Sequence, residues 1–194
     1  MIRLAIFVSG SGTNCEKLLE TFATSEQVKT TLVLSNRADA YALERAKRFG
    51  VKTEVVDRAT FYDEAALMAL LERYGVDFIV LAGFLWMVPD FLVDRYERRM
   101  LNLHPALLPK FGGKGMYGHH VHEAVKAAGE TETGMTVHYV SRVCDGGEII
   151  AQFSTPISPD DTPDDIAAKE HELEMAHFPQ VVEDVLRKTF PQEF

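Results

Sequence analysis

Cysteine is nearly absent from this chain: Cys15 and Cys144 are the only two in 194 residues, and no Cys-x-x-Cys spacing occurs. Two separated thiols argue against a structural bridge and fit a reducing compartment. Basic residues are scarce too. Against 29 acidic side chains stand 20 Lys and Arg, a net charge of −9, and no block of like charge forms a tail or arm. That balance argues against nucleic acid as a partner. No apolar run approaches the roughly 18 residues of a membrane span, and the apolar core of the opening MIRLAIFVSGSG is too short for a cleaved signal. A soluble, cytoplasmic protein with no membrane partner is expected. Internal repeats and low-complexity segments are also lacking, and 194 residues suit one packed core rather than two. The expectation is a single domain over 1–194.

What the sequence does contain is alternation. The runs RLAIFV, TTLVLS, KTEVV, DFIVLAG and MLNLH, rich in Val, Ile, Leu and Phe, read as strands. Segments 15–23, 40–49 and 62–74 carry apolar residues at spacings of three and four and read as helices. Alternation of this kind predicts an α/β fold, a Rossmann-like doubly wound and mostly parallel sheet covered on both faces. The second half differs. TGMTVHYVS and EIIAQFSTPI are successive strands with only RVCDGG between them, which predicts an antiparallel C-terminal addition to the sheet. Thr162 as N-cap, Pro163 at the first helical position and Asp165 at the capping-box position then open a long C-terminal helix, expected to bend or break near Pro179. The flexible stretch is FGGKGMYG, with its four glycines.

Three motifs carry candidate chemistry. Gly10 and Gly12 in IFVSGSGTN follow the first strand and precede the first helix, where backbone amides face an anion and Ser11 and Thr13 add hydroxyl donors. The dinucleotide fingerprint fails, because Cys15 stands at the third glycine position and Ser35 and Asn36, not an acid, close the second strand. One phosphate fits better than a dinucleotide. In MLNLHP, Asn102 and His104 project to the same side of a strand that Pro105 ends, leaving His104 at the carboxyl edge where such sheets bind ligands. An amide donor beside an imidazole suits a carbonyl-transfer reaction, with one group for the oxyanion and one for a proton. Asp145, in VCDGGEI, would raise the imidazole pKa and orient the ring if it reached His104. Each motif also has a plainer reading: a tight turn, a polar strand end, an Asp-Gly hairpin. The histidines at 119, 120, 122, 171 and 177 match no metal-ligand spacing, so no metal is expected.

The pieces SGSGTN, SNRADAYALERA, VLAGFLWMV, NLHPALLPKF, ETGMTVHYV, DGGEII and EMAHFP, in that order along almost the whole chain, resemble the folate-dependent phosphoribosylglycinamide formyltransferase family. The resemblance implies transfer of a formyl group from 10-formyltetrahydrofolate, as co-substrate, to the amine of 5-phosphoribosylglycinamide in purine synthesis. It makes Asn102, His104 and Asp145 the catalytic set, with His104 expected as a cation kept charged by Asp145. Ser11, Gly12, Thr13 and Asn14 would hold the substrate phosphate, and Glu174 the glycinamide end. Leu85, Trp86, Met87 and Val88 would line the folate pocket with Asn102 and the backbone of Ser141 to Asp145, and Lys110 or Lys114 would make the cleft positive. A phosphate-binding half would span about 1–100 and a folate and catalytic half about 101–194, in a monomer or homodimer acting on small molecules. Two rivals remain open: a formyltetrahydrofolate deformylase or related formyltransferase using the same residues, and a non-catalytic sugar-phosphate binding module with no need for the catalytic three.

Overall fold

The computed structural model describes all 194 residues. Along the chain run β1 (Ile2–Val8), α1 (Thr13–Phe22), β2 (Val28–Ser35), α2 (Tyr41–Arg48), β3 (Lys52–Val55), α3 (Arg58–Phe61), α4 (Glu64–Arg73) and β4 (Phe78–Leu81). They are followed by α5 (Asp90–Arg95), β5 (Met100–His104), α6 (His119–Ala127), β6 (Glu132–Tyr139), β7 (Ile149–Pro156) and α7 (Pro163–Thr189). The seven strands form one sheet in the order β3-β2-β1-β4-β5-β6-β7. All neighbours from β3 to β5 are parallel, while β6 runs antiparallel to both β5 and β7. This is the Rossmann-like, doubly wound arrangement with an antiparallel addition that the alternation predicts. No helix is long and apolar enough to cross a membrane.

Period-two alternation divides each central strand between two cores. Leu4, Ile6 and Val8 of β1 join Phe78 and Val80 of β4 and Leu101 and Leu103 of β5 under α1, α2 and α7. Ala5, Phe7, Ile79, Leu81 and Met100 pack on the other face under α3, α4 and α5. Asn102 and His104 have the parity of Met100. They therefore stand on the second face, beyond the end of its helical cover.

Local chemistry explains where the reading of the sequence needs correction. The helix expected over 62–74 is α4, opened by Asp63, which accepts from Ala66 N at 2.7 Å; the one-turn α3 before it is a separate start, where Asp57 accepts from Thr60 N at 2.8 Å. The six-residue α5 carries too few turns to show a period. The capping box at Thr162 forms as expected: Thr162 Oγ1 accepts from Asp165 N at 3.2 Å and Asp165 Oδ2 from Thr162 N at 2.8 Å. The helix does not break at Pro179. A proline there loses one backbone bond, at a cost of about 3 kcal/mol. Burial of Pro179 beside Phe178, Val181 and Val182 against the sheet offsets it.

Gly134 sets how tightly the antiparallel addition can lie. A Cβ at this position would meet Phe153 O at 2.1 Å and Leu107 Cδ2 at 2.6 Å, so β7 and the loop after β5 close over it only because it has no side chain. Gly134→Ala is expected to destabilise the fold by roughly 1–3 kcal/mol through overpacking. Urea unfolding measures this, and an unchanged midpoint would show that the strands yield freely.

Candidate active site

The doubly wound order turns back between β1 and β4, and open α/β sheets bind ligands outside the strand carboxyl ends at that point. A cleft of about 720 Å³ lies there. Its wall contains Gly10 to Asn14 after β1, Leu81 to Val88 after β4, the end of β5, Gly113 to Gly118, the segment after β6 and Glu174 of α7. Every site residue read from the sequence lines this one cleft: Ser11, Gly12, Thr13, Asn14, Leu85, Trp86, Met87, Val88, Asn102, His104, Ser141, Asp145 and Glu174.

At its centre, antiparallel pairing sets Asn102 opposite His138 and His104 opposite Thr136. Opposed residues of such a pair share a face. Asn102 Nδ2 lies 3.1 Å from His138 Nε2 and 3.4 Å from Asp145 Oδ1, and His138 Nδ1 lies 2.8 Å from Tyr139 O. A carbonyl can only accept, so His138 carries its hydrogen on Nδ1 and offers Nε2 to the amide. This fixes Asn102 with its nitrogen toward the carboxylate. By the same logic His104 Nε2, 2.7 Å from Phe111 O, carries a hydrogen, and Nδ1 faces Asp145 Oδ2 at 3.6 Å. That separation is too long for a hydrogen bond and short enough for a strong field. Asp145 itself adopts a left-handed backbone, φ 51°, and accepts from Gly113 N at 2.9 Å. Its conformation aims the carboxylate into the cleft rather than along a hairpin.

Electrostatics here differ from the expectation. Burial lowers the His104 pKa below its ordinary 6.5, and Asp145 and the Phe111 carbonyl only partly oppose it. A resting imidazolium is therefore replaced by a neutral ring near pH 7. Burial also acts to raise the Asp145 carboxyl, yet the nearby His138 and His104 rings and the bond from Gly113 N hold it below the usual range. Cys15, buried beneath the first loop, has its thiol pushed up to about 12. Burial, Asp145 and its own hydrogen bond to that carboxylate raise the Cys144 thiol as well. Neither is a poised nucleophile.

The first loop has a packing reason as well as a ligand-facing one. Gly12 has φ 77°, and a Cβ there would lie 2.3 Å from Ala42 Cβ, so the residue lets α1 and α2 approach. Arg45, unremarked in the sequence, donates from Nε to Ser11 O at 2.8 Å and pairs with Glu16. It ties α2 to the loop and holds the Ser11 carbonyl. Lys114 lines the cleft, but Lys110 turns away to Glu130 at 2.9 Å. Leu85 and Met87 offer their side chains at the rim, about half exposed (47% and 48%). Val88 belongs to the core and Trp86 packs on Tyr62 and beneath Arg58. Leu85 N donates to Ser9 Oγ at 2.9 Å, and Ser9 Oγ donates to Asn36 Oδ1 at 2.6 Å, which ties the ends of β1 and β2 to the rim.

His138, Thr136, Arg45 and the Phe111 carbonyl escape a reading by motif. Only the β5–β6 register, or the return of α2 to the first loop, brings them in. His104 is expected to titrate below 6.5, and Asp145→Asn to lower its pKa further; NMR of the imidazole measures both. The sign for stability follows. The unfolded chain binds the proton more tightly, so stability should fall as pH drops from about 6.5 through the lower folded value.

A model of the formyl transferase family matches residues 2–182. The chloroplastic phosphoribosylglycinamide formyltransferase of Arabidopsis thaliana is 39% identical over 181 residues, which cover 88% of this chain and 62% of that protein. This chain thus spans under two thirds of that relative's length. The phosphoribosylglycinamide formyltransferase of Escherichia coli (strain K12) is 34% identical over 93% of this chain and 85% of its own length. Among solved structures, the phosphoribosylglycinamide formyltransferase of Streptococcus pneumoniae TIGR4 superposes with a TM-score of 0.83 at 36% identity, covering 96% of this chain and 99% of that one. With this match along nearly its whole length, the chain belongs to the formyl transferase family.

Proposed function

We propose that this chain transfers the formyl group of 10-formyltetrahydrofolate to the primary amine of 5-phosphoribosylglycinamide. The observation that carries the reading is the meeting of Asn102, His104 and Asp145 in one cleft with the open loop Gly10 to Asn14. The phosphate of the acceptor sits against the amides and hydroxyls of Ser11, Gly12, Thr13 and Asn14 at the N-terminus of α1, beside Arg45. The glycinamide end runs toward Glu174, and the folate lies along Leu85 to Val88 with the backbone of Ser141 to Asp145 and the amide of Asn102. Holding both reactants in one cleft makes the attack effectively unimolecular.

The amine attacks the formyl carbon and forms the new C–N bond. The developing oxyanion takes the Asn102 hydrogen whose contact with Asp145 is long, at 3.4 Å. His104, neutral at the outset, accepts the amine proton on Nδ1, becoming a cation beside Asp145. It then returns that proton to N10 as the old C–N bond breaks. Removing one oxyanion donor typically costs about 100-fold to 1000-fold in turnover. No covalent enzyme intermediate and no metal enters these steps. The whole chain acts as one domain on two small molecules in the cytoplasm, as a monomer or homodimer, without a nucleic-acid or membrane partner.

The test is formylation of phosphoribosylglycinamide with 10-formyltetrahydrofolate, beside a no-acceptor control, with and without a chelator. Formate release that needs no acceptor would make it a deformylase, and activity restored only by zinc would overturn the metal-free scheme. Gly12 is a poor probe of the phosphate because its replacement strikes Ala42. Thr13→Val removes a hydroxyl at nearly constant volume and should raise the acceptor KM about tenfold while sparing the donor. Equal effects on both substrates would refute the phosphate assignment. With His104 as the neutral base, its pKa governs the acidic limb of kcat/KM, so Asp145→Asn should move that limb to lower pH. A shift of the alkaline limb alone would restore the cationic role.

A further inference from the structure

Behind the cleft wall lies a set of buried polar groups that these steps leave unused. Glu170 is 2% exposed and stands one helical turn before Glu174, itself 7% exposed, so two carboxyl groups share one face of α7. Glu174 lines the cleft and Glu170 does not. Glu174 Oε2 accepts from Asn14 Nδ2 at 2.7 Å and from His171 Nδ1 at 2.8 Å. Glu170 Oε1, Asn14 Oδ1 and His122 Nδ1 are buried with no hydrogen-bond partner.

Two buried carboxyl groups on one helix face disfavour a second charge, which favours a retained proton. Asn14 and His171 already serve Glu174 Oε2, and no such partner serves Glu170. The proton then belongs to Glu170, whose carboxyl is lifted well above the usual range by burial first and by Glu174 second. We propose that Glu170 is a positioning residue for the acceptor substrate: as the neutral half of a buried carboxyl pair, it holds the Glu174 carboxylate toward the cleft through one shared hydrogen. The proposal rests on the reading above, in which Glu174 meets the acceptor, and adds a residue that touches no substrate.

The surroundings make that shared hydrogen the sensitive element. Asn14 reaches Glu174 from α1 and His171 from α7 itself, where the bond to Glu174 raises the His171 pKa. From α6 comes His122, lowered by burial although Glu174 opposes, with His119 and, from β5, His104 adding to the lowering. From β6, Met135 and Val137 share a core with Phe178 of α7 and bring no charge. The charged neighbour acting on Glu170 is Glu174. Alkaline pH should strip the shared proton and set the two carboxylates against each other, loosening Glu174. It should also lower stability, because a carboxyl whose folded pKa is raised loses stability as pH climbs from its usual value toward the folded one.

Glu170→Gln preserves the shape and a donor, whereas Glu170→Leu removes both. Wild type at pH 7 should show the infrared carbonyl band of a buried protonated acid, and E170Q should lose it. E170L should raise the acceptor KM about tenfold, with kcat and the donor KM changed by no more than about twofold. E170Q should match wild type at pH 7 and, unlike wild type, keep its acceptor KM and its melting temperature as pH rises. A missing band, an E170Q as impaired as E170L, or equal changes in both KM values overturns the proposal. If E170L does not fold, the wild type and E170Q decide alone, and identical alkaline profiles overturn it. A wild type that never formylates phosphoribosylglycinamide defeats the functional reading instead, and the infrared band still decides the carboxyl pair.

Discussion

Because β6 runs antiparallel to β5 with Asn102 opposite His138 and His104 opposite Thr136, four polar side chains meet on one face of the sheet at its ligand-binding edge. A slip of one residue would send Asn102 and His104 into the apolar layer that Leu101 and Leu103 now fill. Register is therefore held by the whole hydrophobic pattern, and the site inherits that rigidity. The amide of Asn102 cannot turn without breaking its bond to His138, which is itself tied to Tyr139 O. Orientation of this kind, fixed before any reactant arrives, is what makes a hydrogen-bond donor effective toward a developing charge.

The same pairing anchors the loop that closes the site. Thr136 Oγ1 donates to Ala106 O at 2.7 Å and accepts from Leu108 N at 3.1 Å and Gln152 Nε2 at 2.9 Å. Pro105 ends the ladder, and these bonds carry the chain on so that Phe111 O meets His104 and Gly113 N meets Asp145. Two backbone groups of one loop thus grip both titratable members of the set. The glycine-rich stretch continues along the cleft from that grip, with Gly113, Gly115 and Gly118 all at positive φ.

Strand positions were legible because apolar alternation is a short-range signal, and the run MLNLH coincides with β5 because Pro105 stops it. The same locality explains what was illegible. His138 lies 36 residues from Asn102 in sequence, and nothing local says which strand will lie beside which. The helix read over 62–74 is α4, whereas the one-turn α3 just before it is too short to show any apolar period. Asn102, His104 and Asp145 stood out by residue type. The protonation of His104 did not, since a neighbouring carboxylate argues one way and burial the other, and burial is a property of the assembled fold.

Three acids and bases in or behind the cleft wall depart from their ordinary behaviour, each for a different balance of the same two forces. At His104 desolvation prevails over a carboxylate 3.6 Å away, so the ring is neutral. At Asp145 two imidazoles and a backbone amide prevail over desolvation, so the carboxylate persists. At Glu170 desolvation and the like charge of Glu174 act together, so the acid keeps its proton. Titrations pushed apart in this way let the cleft present a base and an anion at the same pH, with a neutral acid proposed behind its wall. An acidic chain can host an anionic substrate on these terms, because the ligand meets local groups rather than the net −9: the helix N-terminus at Gly12, Arg45 on the carbonyl of Ser11, and Lys114 at the cleft wall. The excess negative charge lies mostly on exposed side chains, where water and salt screen it.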